Sequence, residues 1–344
     1  MSRQPPKTTY QQIARLSGVS VATVFRVINN RKLVSRETYE KVVAAMDALD
    51  YNHSFDVQTE KIPPRGVIVL VIPEIGNPFY TDAINGIKLA ARNQDHSYDI
   101  VLYDAVITPA NAGVFIRFLN NVHATGVIVF ERVEAGVLER INQLVPVVQC
   151  SEFNPESKLS YVSIDNIRAA QSAVEYILSR GCTRVAFING DFSYQYALDR
   201  YKGYIHALGN AGIPVNEEWI VNLPQVNFIL AVSAVTNLIE GDSRPEAFFC
   251  SSDISAAAAI KACLSHGLNV PEDVLIVGFD NIDISVMTMP TITTVNQPKF
   301  DLGVTAFDLL VKHINNPRLQ PKQVFLNTEL ILRESSAKTF DAQR

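Results

Sequence analysis

From Gly66 onward, apolar runs of strand length alternate with segments of helical periodicity, and this alternation restricts the fold more than any other feature. The runs are Val67–Ile72, Ile100–Tyr103, Val127–Phe130, Val147–Cys150, Val185–Ile188, Ala247–Cys250 and Leu275–Phe279. The helical segments between them include Phe79–Arg92, Ala169–Arg180, Arg200–Asn210 and Ser255–His266. Continuous apolar strands separated by helices are typical of parallel sheets covered on both faces. The pattern restarts near Val185, so the sequence predicts two doubly wound parallel-sheet lobes, followed by antiparallel edge strands between Gln323 and Arg333.

The first 51 residues predict a separate unit of three short helices. Hydroxyl side chains that cap helix N-termini precede each predicted helix, at Thr9, Ser20 and Ser35. Gly18 lies between the first two helices, where a tight turn requires a positive φ. Two helices joined by a short turn and braced by a third form the helix-turn-helix arrangement. We therefore divide the chain into a head (1–51), a linker (52–65), a two-lobed body (66–335) and a tail (336–344).

Charge separates the head from the body. Residues 1–46 contain eight Lys and Arg against two acidic residues, whereas the whole chain has a net charge of −5. A basic head on an acidic body indicates an anionic partner for the head alone. The N-terminus has no apolar region of the signal-peptide kind, and no apolar run approaches the length of a membrane span. These observations, with four scattered cysteines, predict a cytoplasmic protein with reduced thiols and no membrane partner.

Signatures of catalysis are absent from the sequence. No phosphate-binding loop, dinucleotide fingerprint, zinc-protease motif or nucleophile elbow occurs, and the six histidines have no metal-ligand spacing. We therefore expect no cofactor, no metal and no enzymatic reaction.

Residues 9–29 closely resemble the N-terminal signature of the lactose/galactose repressor (LacI/GalR) family. That signature reads roughly T-x-x-D-V-A-x-x-A-G-V-S-x-x-T-V-S-R-V-L-N, and this chain reads TYQQIARLSGVSVATVFRVIN. Further motifs of the family follow in order: Asn77-Pro78-Phe79-Tyr80, Asp165-Asn166, Arg200-Tyr-Lys-Gly203, Ser252-Asp253, Val270-Pro271-Glu272-Asp273 and Gly278-Phe279-Asp280-Asn281. The resemblance covers essentially residues 8–335. Within the family, Ser151-Glu-Phe153, Asn281-Ile-Asp283 and Leu330-Ile331 are most similar to cytidine-responsive repressors.

The resemblance implies a ligand-responsive transcription repressor with a body like the periplasmic binding proteins. Such a protein binds a pseudo-palindromic operator in double-stranded DNA as a homodimer, and a nucleoside such as cytidine, or a sugar, occupies the cleft between its lobes. The positions that match the family's DNA contacts are Thr9, Tyr10, Ser20, Val21, Ala22, Thr23, Arg26 and Asn29. The positions that match its effector contacts are Phe79, Tyr80, Ser151, Tyr196, Arg200, Gln225, Ser252 and Asp280.

The chemistry of the second head helix agrees with that assignment. Its first residues, Val21 and Ala22, can read bases only by apolar contact, for example with a thymine methyl group. Arg26, one turn further on, can bind guanine or phosphate. Phe25 occupies a position where the family usually has a small serine, so its ring must pack into the head or crowd the DNA.

The linker departs from the family pattern. The family's hinge, Y-x-P-N-x-x-A-R-x-L, places a leucine wedge in the minor groove, whereas the matching stretch here ends at Glu60. A carboxylate cannot act as an apolar wedge, and its charge opposes phosphate. We therefore predict a hinge that stays flexible on DNA, weaker intrinsic operator affinity, and reliance on a neighbouring DNA-bound activator.

Two other functions fit the same fold. A solute-binding protein would carry a signal peptide and would not need a basic head. A cytosolic hydrolase of nucleosides or sugars is disfavoured only by the missing motifs, and turnover of a nucleoside would support it.

Overall fold

A computed structural model describes residues 9–29, 34–49, 51, 66–94 and 97–337, without the side chains of Ile28 and Asn29. The predicted linker 52–65, including Glu60, and the chain beyond residue 337 lie outside the described residues. The chain divides into two compact units, Met1–Pro64 and Arg65–Arg344.

The head contains the three predicted helices, α1 (Tyr10–Ser17), α2 (Val21–Asn29) and α3 (Arg36–Ala48). The backbone N–H of Thr9 donates to Oε1 of Gln12 at 2.7 Å, as the capping box predicts. Gly18 ends α1 with φ 70°, the left-handed value that the turn requires. The hydroxyl of Ser20 accepts from the backbone N–H of Thr23 at 3.1 Å, which begins α2. The helices enclose a core of their own, to which each contributes a fully buried side chain: Ile13, Val24 and Val42.

The first lobe of the body is a six-stranded sheet in which every pairing is parallel, in the order β11-β5-β4-β3-β1-β2. Its elements are β1 (Gly66–Ile72), α4 (Phe79–Asn93), β2 (Tyr98–Asp104), α5 (Ala112–Asn121), β3 (Ala124–Val129), α6 (Ala135–Asn142), β4 (Val147–Cys150), β5 (Ser160–Ile164) and, from the C-terminal region, α12 (Lys299–Asn315) and β11 (Gln323–Leu326).

The second lobe is also six-stranded, in the order β12-β10-β9-β8-β6-β7. Its strands are parallel except β12, which pairs antiparallel with β10. Its elements are α7 (Asn166–Ser179), β6 (Val185–Asn189), α8 (Gln195–Asn210), β7 (Ile220–Asn222), α9 (Phe228–Glu240), β8 (Ala247–Cys250), α10 (Asp253–Ser265), β9 (Leu275–Asp280), α11 (Ile284–Met287), β10 (Thr293–Asn296) and β12 (Glu329–Ile331). The prediction of two doubly wound lobes is confirmed.

Helices cover both faces of each sheet, which explains why central strands such as β1 and β8 are apolar along their whole length. In β1, Leu70 packs under α4 and α12, whereas Val71 packs on the opposite face against α5 and α6. In β6, Phe187 packs under α7 and α8, and Ile188 packs towards α9 and α10. The four cysteines are buried in these cores. No helix among the described residues is long and apolar enough to cross a membrane.

Two sequence expectations need correction or extension. The segment Gln323–Arg333 does not form a pair of antiparallel strands, because β11 runs parallel to β5 in the first lobe and only β12 is antiparallel. Alternation has period two in both kinds of sheet, so it could not distinguish them. Strands β5 and β10 were not predicted, because polar residues interrupt their apolar sequence. These polar side chains are buried and hydrogen-bonded: Ser160 pairs with His313, and Thr293 pairs with Ser336.

Two glycines allow α4 and α12 to cross at very close distance. A Cβ atom on Gly303 would overlap the carbonyl oxygen of Ala83, and one on Gly86 would overlap the carbonyl oxygen of Phe300. The backbones of the two helices therefore touch without intervening side chains.

We expect Gly303→Ala to lower the free energy of unfolding by about 1–3 kcal/mol, because the added methyl group forces the two helices apart. Chemical denaturation followed by circular dichroism measures the change. Gly209→Ala is the matched control, since a Cβ there, near the end of α8, meets no atom within 4 Å. The control should be neutral or slightly stabilising, and equal effects of both substitutions would contradict the close crossing.

Candidate functional site

Helix α2 has a buried face and an exposed face. Val24 and Val27 are buried in the core of the head, whereas Val21 and Phe25 are 44% and 55% exposed. Ala22 and Arg26 are exposed beside them. The exposed face therefore presents apolar side chains and one guanidinium group, as the sequence predicts for a helix that reads DNA.

The other predicted DNA contacts surround this helix. Thr9 and Ser20 are exposed at the first turns of α1 and α2, and Tyr10 and Thr23 are half-buried. Asn29 is the last residue of α2, and its side chain lies outside the described residues. The ring of Phe25 meets the edge of Tyr10 at 6.4 Å between centroids, so the packing is partial and more than half of the ring stays exposed.

In the body, a cavity of about 450 Å³ lies between the carboxyl ends of the strands of the two lobes. This is the position where doubly wound folds bind ligands, and the volume suits a small molecule. All eight residues predicted to contact the effector line it: Phe79, Tyr80, Ser151, Tyr196, Arg200, Gln225, Ser252 and Asp280.

The polar part of the lining centres on Arg200 and Asp280. Arg200 is 4% exposed and lies in the second turn of α8, not at its start as the sequence suggested. Its Nε donates to Asn166, and its Nη1 donates to the carbonyl oxygen of Ser251. Its Nη1 is 3.7 Å from Oδ1 of Asp280, beyond hydrogen-bond distance. Oδ1 accepts instead from Nε2 of Gln297 at 2.7 Å.

Burial raises the pKa of Asp280, and the charges of Arg200 and Lys299 and the hydrogen bond from Gln297 act against that shift. The second carboxylate oxygen of Asp280 accepts no hydrogen bond from a described residue. The arrangement holds the carboxyl group of Asp280 in place and leaves its second oxygen for a hydroxyl or amine of a ligand.

The backbone at Asp280 is strained. Asp280 and Asn281 have φ values of 103° and 52°, in the left-handed region that favours glycine. The ammonium group of Lys299, itself 4% exposed, donates to the carbonyl oxygens of both residues at 2.6 and 3.0 Å. Lys299 begins α12, which packs in the first lobe, so an ion from one lobe holds the ligand-facing turn of the other.

Other parts of the lining are aromatic. Tyr80 meets Phe79 and Phe130 edge-on, at 5.4 and 5.7 Å between ring centroids. Across the cavity, Tyr196 lies 5.6 Å from Tyr194 and 4.9 Å from the guanidinium carbon of Arg200. Burial raises the pKa of both Tyr80 and Tyr196, so these rings are neutral phenols. They offer flat apolar faces with hydroxyl groups at their rims.

The charged residues of the lining are mostly acidic. Glu74, Glu152, Asp191 and Asp280 carry carboxyl groups, whereas Arg200 carries the one positive charge among the described lining residues. The cavity therefore disfavours an anionic ligand.

Several lining residues were not predicted from the sequence, and only some of them have a sequence signal that could have identified them. Glu152 directly follows the predicted Ser151 after a buried strand, so its position alone could have indicated it. Gln297 follows β10, which is too polar to be recognised as a strand, so nothing in the pattern placed it at the carboxyl edge.

Asp253 lies behind the cavity wall, at the first turn of α10, and is completely buried. Its Oδ2 accepts from the backbone N–H of Ile282 at 2.8 Å, whereas its Oδ1 has no partner among the described residues and lies against Gly278. Burial raises the pKa of Asp253 to about 8, and the nearby charge of Asp280 contributes to the rise.

Two protein-family models match the chain. The model of bacterial regulatory proteins of the lacI family matches residues 9–54, which include α1 to α3. The model of the periplasmic binding protein-like domain matches residues 174–336, which include most of the second lobe.

Whole-chain comparisons give the same result. The HTH-type transcriptional repressor CytR of Escherichia coli (strain K12) is 31% identical over 337 residues, which is 97% of this chain and 98% of that protein. The HTH-type transcriptional repressor PurR of Photobacterium profundum is 30% identical over 95% of this chain and 98% of its own. Among solved structures, the complex of the transcriptional regulator CelR with cellobiose superposes with a TM-score of 0.72. It is 29% identical and covers 96% of this chain and all of that one.

Asp253→Asn should change how stability depends on pH. The carboxyl group ionises near its ordinary value of 3.8 in the unfolded chain but near 8 in the folded body, so folded Asp253 retains its proton between these values. Asp253 therefore contributes stability that is lost progressively as pH rises from about 4 to about 8. Asparagine does not titrate. The difference in melting temperature, variant minus wild type, should therefore increase from about pH 4 to about pH 8 and stay constant at higher pH. Melting curves from pH 4 to 9 measure the effect, with the exposed Asp283→Asn as control. A constant difference between variant and wild type would contradict the assignment.

Proposed function

The chain belongs to the lacI family of bacterial regulatory proteins and is therefore a DNA-binding transcriptional regulator, and from this premise we propose how it is controlled. We propose that it represses transcription from a pseudo-palindromic operator as a homodimer. A small uncharged ligand in the cavity, a nucleoside in the first instance, controls its affinity for DNA. Such a protein acts where the DNA is, in the bacterial cytoplasm.

The observation that carries the ligand proposal is that the cavity lining combines polar groups with aromatic rings. A nucleoside has the same two parts. The hydroxyl groups of its ribose can donate to Asp280 and accept from Arg200, while its base can stack on the rings of Phe79, Tyr80 and Tyr196. A neutral sugar has hydroxyl groups for the same polar residues and an apolar ring face that can stack on Phe79 or Tyr80. The relative CelR was solved with cellobiose, so sugars are the second candidate class.

The proposed link between ligand and DNA follows from the two lobes. Closing the cleft on a ligand moves the lobes against each other and so changes the spacing of the two heads in a dimer. Ligand and DNA then alter each other's affinity by the same factor. Recognition of a pseudo-palindrome by a helix-turn-helix requires two heads, which is the reason for proposing a homodimer. Exposed apolar side chains on and near the outer strand β2, at Leu102 and Val114, are suited to an interface between two copies.

Operator binding is proposed to depend on the exposed face of α2 and on phosphate contacts around it. The segment 52–65 lies outside the described residues, and its sequence lacks the family's minor-groove wedge. For this reason we propose modest intrinsic affinity and cooperation with a neighbouring DNA-bound activator.

We expect Arg26→Ala to weaken binding to a selected operator roughly 10- to 100-fold, because one charge-assisted contact to a base or phosphate is lost. Fluorescence anisotropy with operator and scrambled duplexes, at several salt concentrations, measures the change. An equal loss on both duplexes assigns Arg26 to phosphate, and a selective loss on the operator assigns it to a base. Arg36→Ala is the control, because Arg36 is highly exposed on α3 and paired with Glu40. The proposal fails if Arg26→Ala binds the operator as tightly as wild type.

Cytidine should raise the melting temperature of the body, whereas cytidine 5′-monophosphate at the same concentration should not, because its phosphate adds negative charge to an acidic cavity. At about 100 times the Kd, the expected shift is roughly 5–10 °C. Asp280→Asn should reduce it, and Asp242→Asn, an exposed control in the same lobe, should not. The same plate should contain other nucleosides, purine bases and neutral sugars. If only sugars stabilise the body, the proposed ligand class changes from nucleosides to sugars. A larger shift with the monophosphate than with cytidine would refute the charge argument. Release of free base from a nucleoside would indicate a hydrolase.

A further inference from the structure

The N-terminus of α8 is capped by a side chain from the other lobe. Glu152 follows β4 in the first lobe, and its Oε1 accepts from the backbone N–H of Gln195 at 2.6 Å. Its Oε2 accepts from the backbone N–H of Tyr196 at 3.2 Å. Both donors belong to the first turn of α8 in the second lobe. One carboxyl group therefore joins the lobes with both of its oxygens.

The neighbouring helices of the second lobe do not share this arrangement. Helices α7, α9 and α10 are each capped by their own preceding residue: Asp165, Asn227 and Ser252 respectively. The preceding residue of α8 is Tyr194, whose side chain makes no capping hydrogen bond. The first amide groups of α8 thus have partners only when the first lobe is close enough for Glu152 to reach them.

The contact is buried. Glu152 is 4% exposed, and burial raises its pKa to about 7, against the effect of its two amide donors and of Arg132 and Arg200. A carboxyl group removed from water in this way is costly unless its hydrogen bonds are kept. If the lobes separate, both the carboxyl group and the amides return to solvent. The contact is therefore specific to the closed arrangement of the lobes.

The same helix turn carries the ligand-facing side chains. Tyr196 donates its backbone N–H to Glu152 and lines the cavity with its ring, and Arg200 follows one turn later. Glu152 lines the cavity as well. The contact between the lobes and the ligand-facing side chains therefore share the first two turns of one helix.

From these observations we propose that Glu152 is a positioning residue that latches the two lobes together over the cavity, by capping α8 in the closed arrangement only. It couples occupancy of the cavity to lobe closure. This inference concerns the closure itself and does not require that the ligand be a nucleoside.

The latch can be tested by measuring the distance between the lobes in the full chain without ligand. Spin labels on Gly76→Cys in the first lobe and Ile229→Cys in the second are suitable, because both positions are exposed and each is near lining residues of its own lobe. The native cysteines are buried and so do not compete for the label. Diluting the labelled chain with unlabelled chain suppresses the contribution of label pairs on different subunits to the distance distribution. Double electron–electron resonance then gives the populations of closed and open lobes.

We expect Glu152→Ala to shift the ratio of closed to open lobes roughly tenfold or more towards open, because two hydrogen bonds to a buried carboxyl group are lost. Glu152→Gln keeps acceptor capacity and should give a smaller shift. Arg132→Ala is the comparison: Arg132 also crosses between the lobes, to the carbonyl oxygen of Ser193 at 3.2 Å in a solvent-exposed place, and its charge acts on Glu152, so its loss should shift the ratio much less than Glu152→Ala does. Circular dichroism establishes that each variant is folded, and if the alanine variant is not, Glu152→Gln decides.

A lower melting temperature with an unchanged distance distribution would show that Glu152 is a helix cap and not a latch, and would overturn the proposal. A wild-type chain that is already fully open would overturn it as well. Saturating cytidine should close the lobes of Glu152→Ala again, with a weaker apparent affinity. If cytidine does not bind at all, the ligand-free distances still decide the latch, so its failure and that of the nucleoside proposal remain distinguishable.

Discussion

Neither lobe of the body is built from one continuous stretch of chain, and this constraint determines the rest of the structure. The chain crosses between the lobes after β5, after β10 and between β11 and β12. Three crossings at one side fix the two sheets with the carboxyl ends of their parallel strands facing each other. The loops that follow the strands must then meet in one place. The cavity is the result of this topology, and the side chains in it come from segments as distant as Glu74 and Gln297.

The same crossings place the charged groups that hold the cavity. Lys299 lies just after the second crossing and fixes the strained turn at Asp280, whereas Glu152 lies after β4 and reaches the start of α8. Each is a buried polar side chain that contacts backbone atoms of the opposite lobe. Backbone contacts do not depend on the rotamer of a partner side chain, so they transmit a shift of a whole helix or turn. The ligand-facing residues Arg200 and Asp280 thus lie on elements whose positions are set from across the cleft.

The sequence predicted the parts of this structure whose physical signal is local. Apolar strands such as β1 and β8 are visible because both faces are buried, and the head helices are visible because Thr9, Ser20 and Ser35 begin them. The eight predicted ligand-facing residues lie together because each follows a strand or matches a family motif at such a place. Strands β5 and β10 were missed because their buried Ser and Thr residues look polar until their partners are known. The direction of β11 and the role of Glu152 depend on which lobe a neighbour belongs to, and no local pattern contains that information.

The discontinuity of the first lobe also affects the order in which the protein can fold during synthesis. The head and strands β1 to β5 leave the ribosome first, but α12, which crosses α4 at Gly86 and Gly303, and β11, which pairs with β5, are made almost last. The second lobe, apart from β12, is synthesised before α12 and β11 complete the first lobe. Until then, the first lobe has an uncovered apolar face. The basic head is thus exposed to DNA long before the part of the chain that regulates it is assembled. A chain that stops before residue 299 would keep the helices of the head yet lack the helix on which the first lobe, and the fixed turn at Asp280, depend.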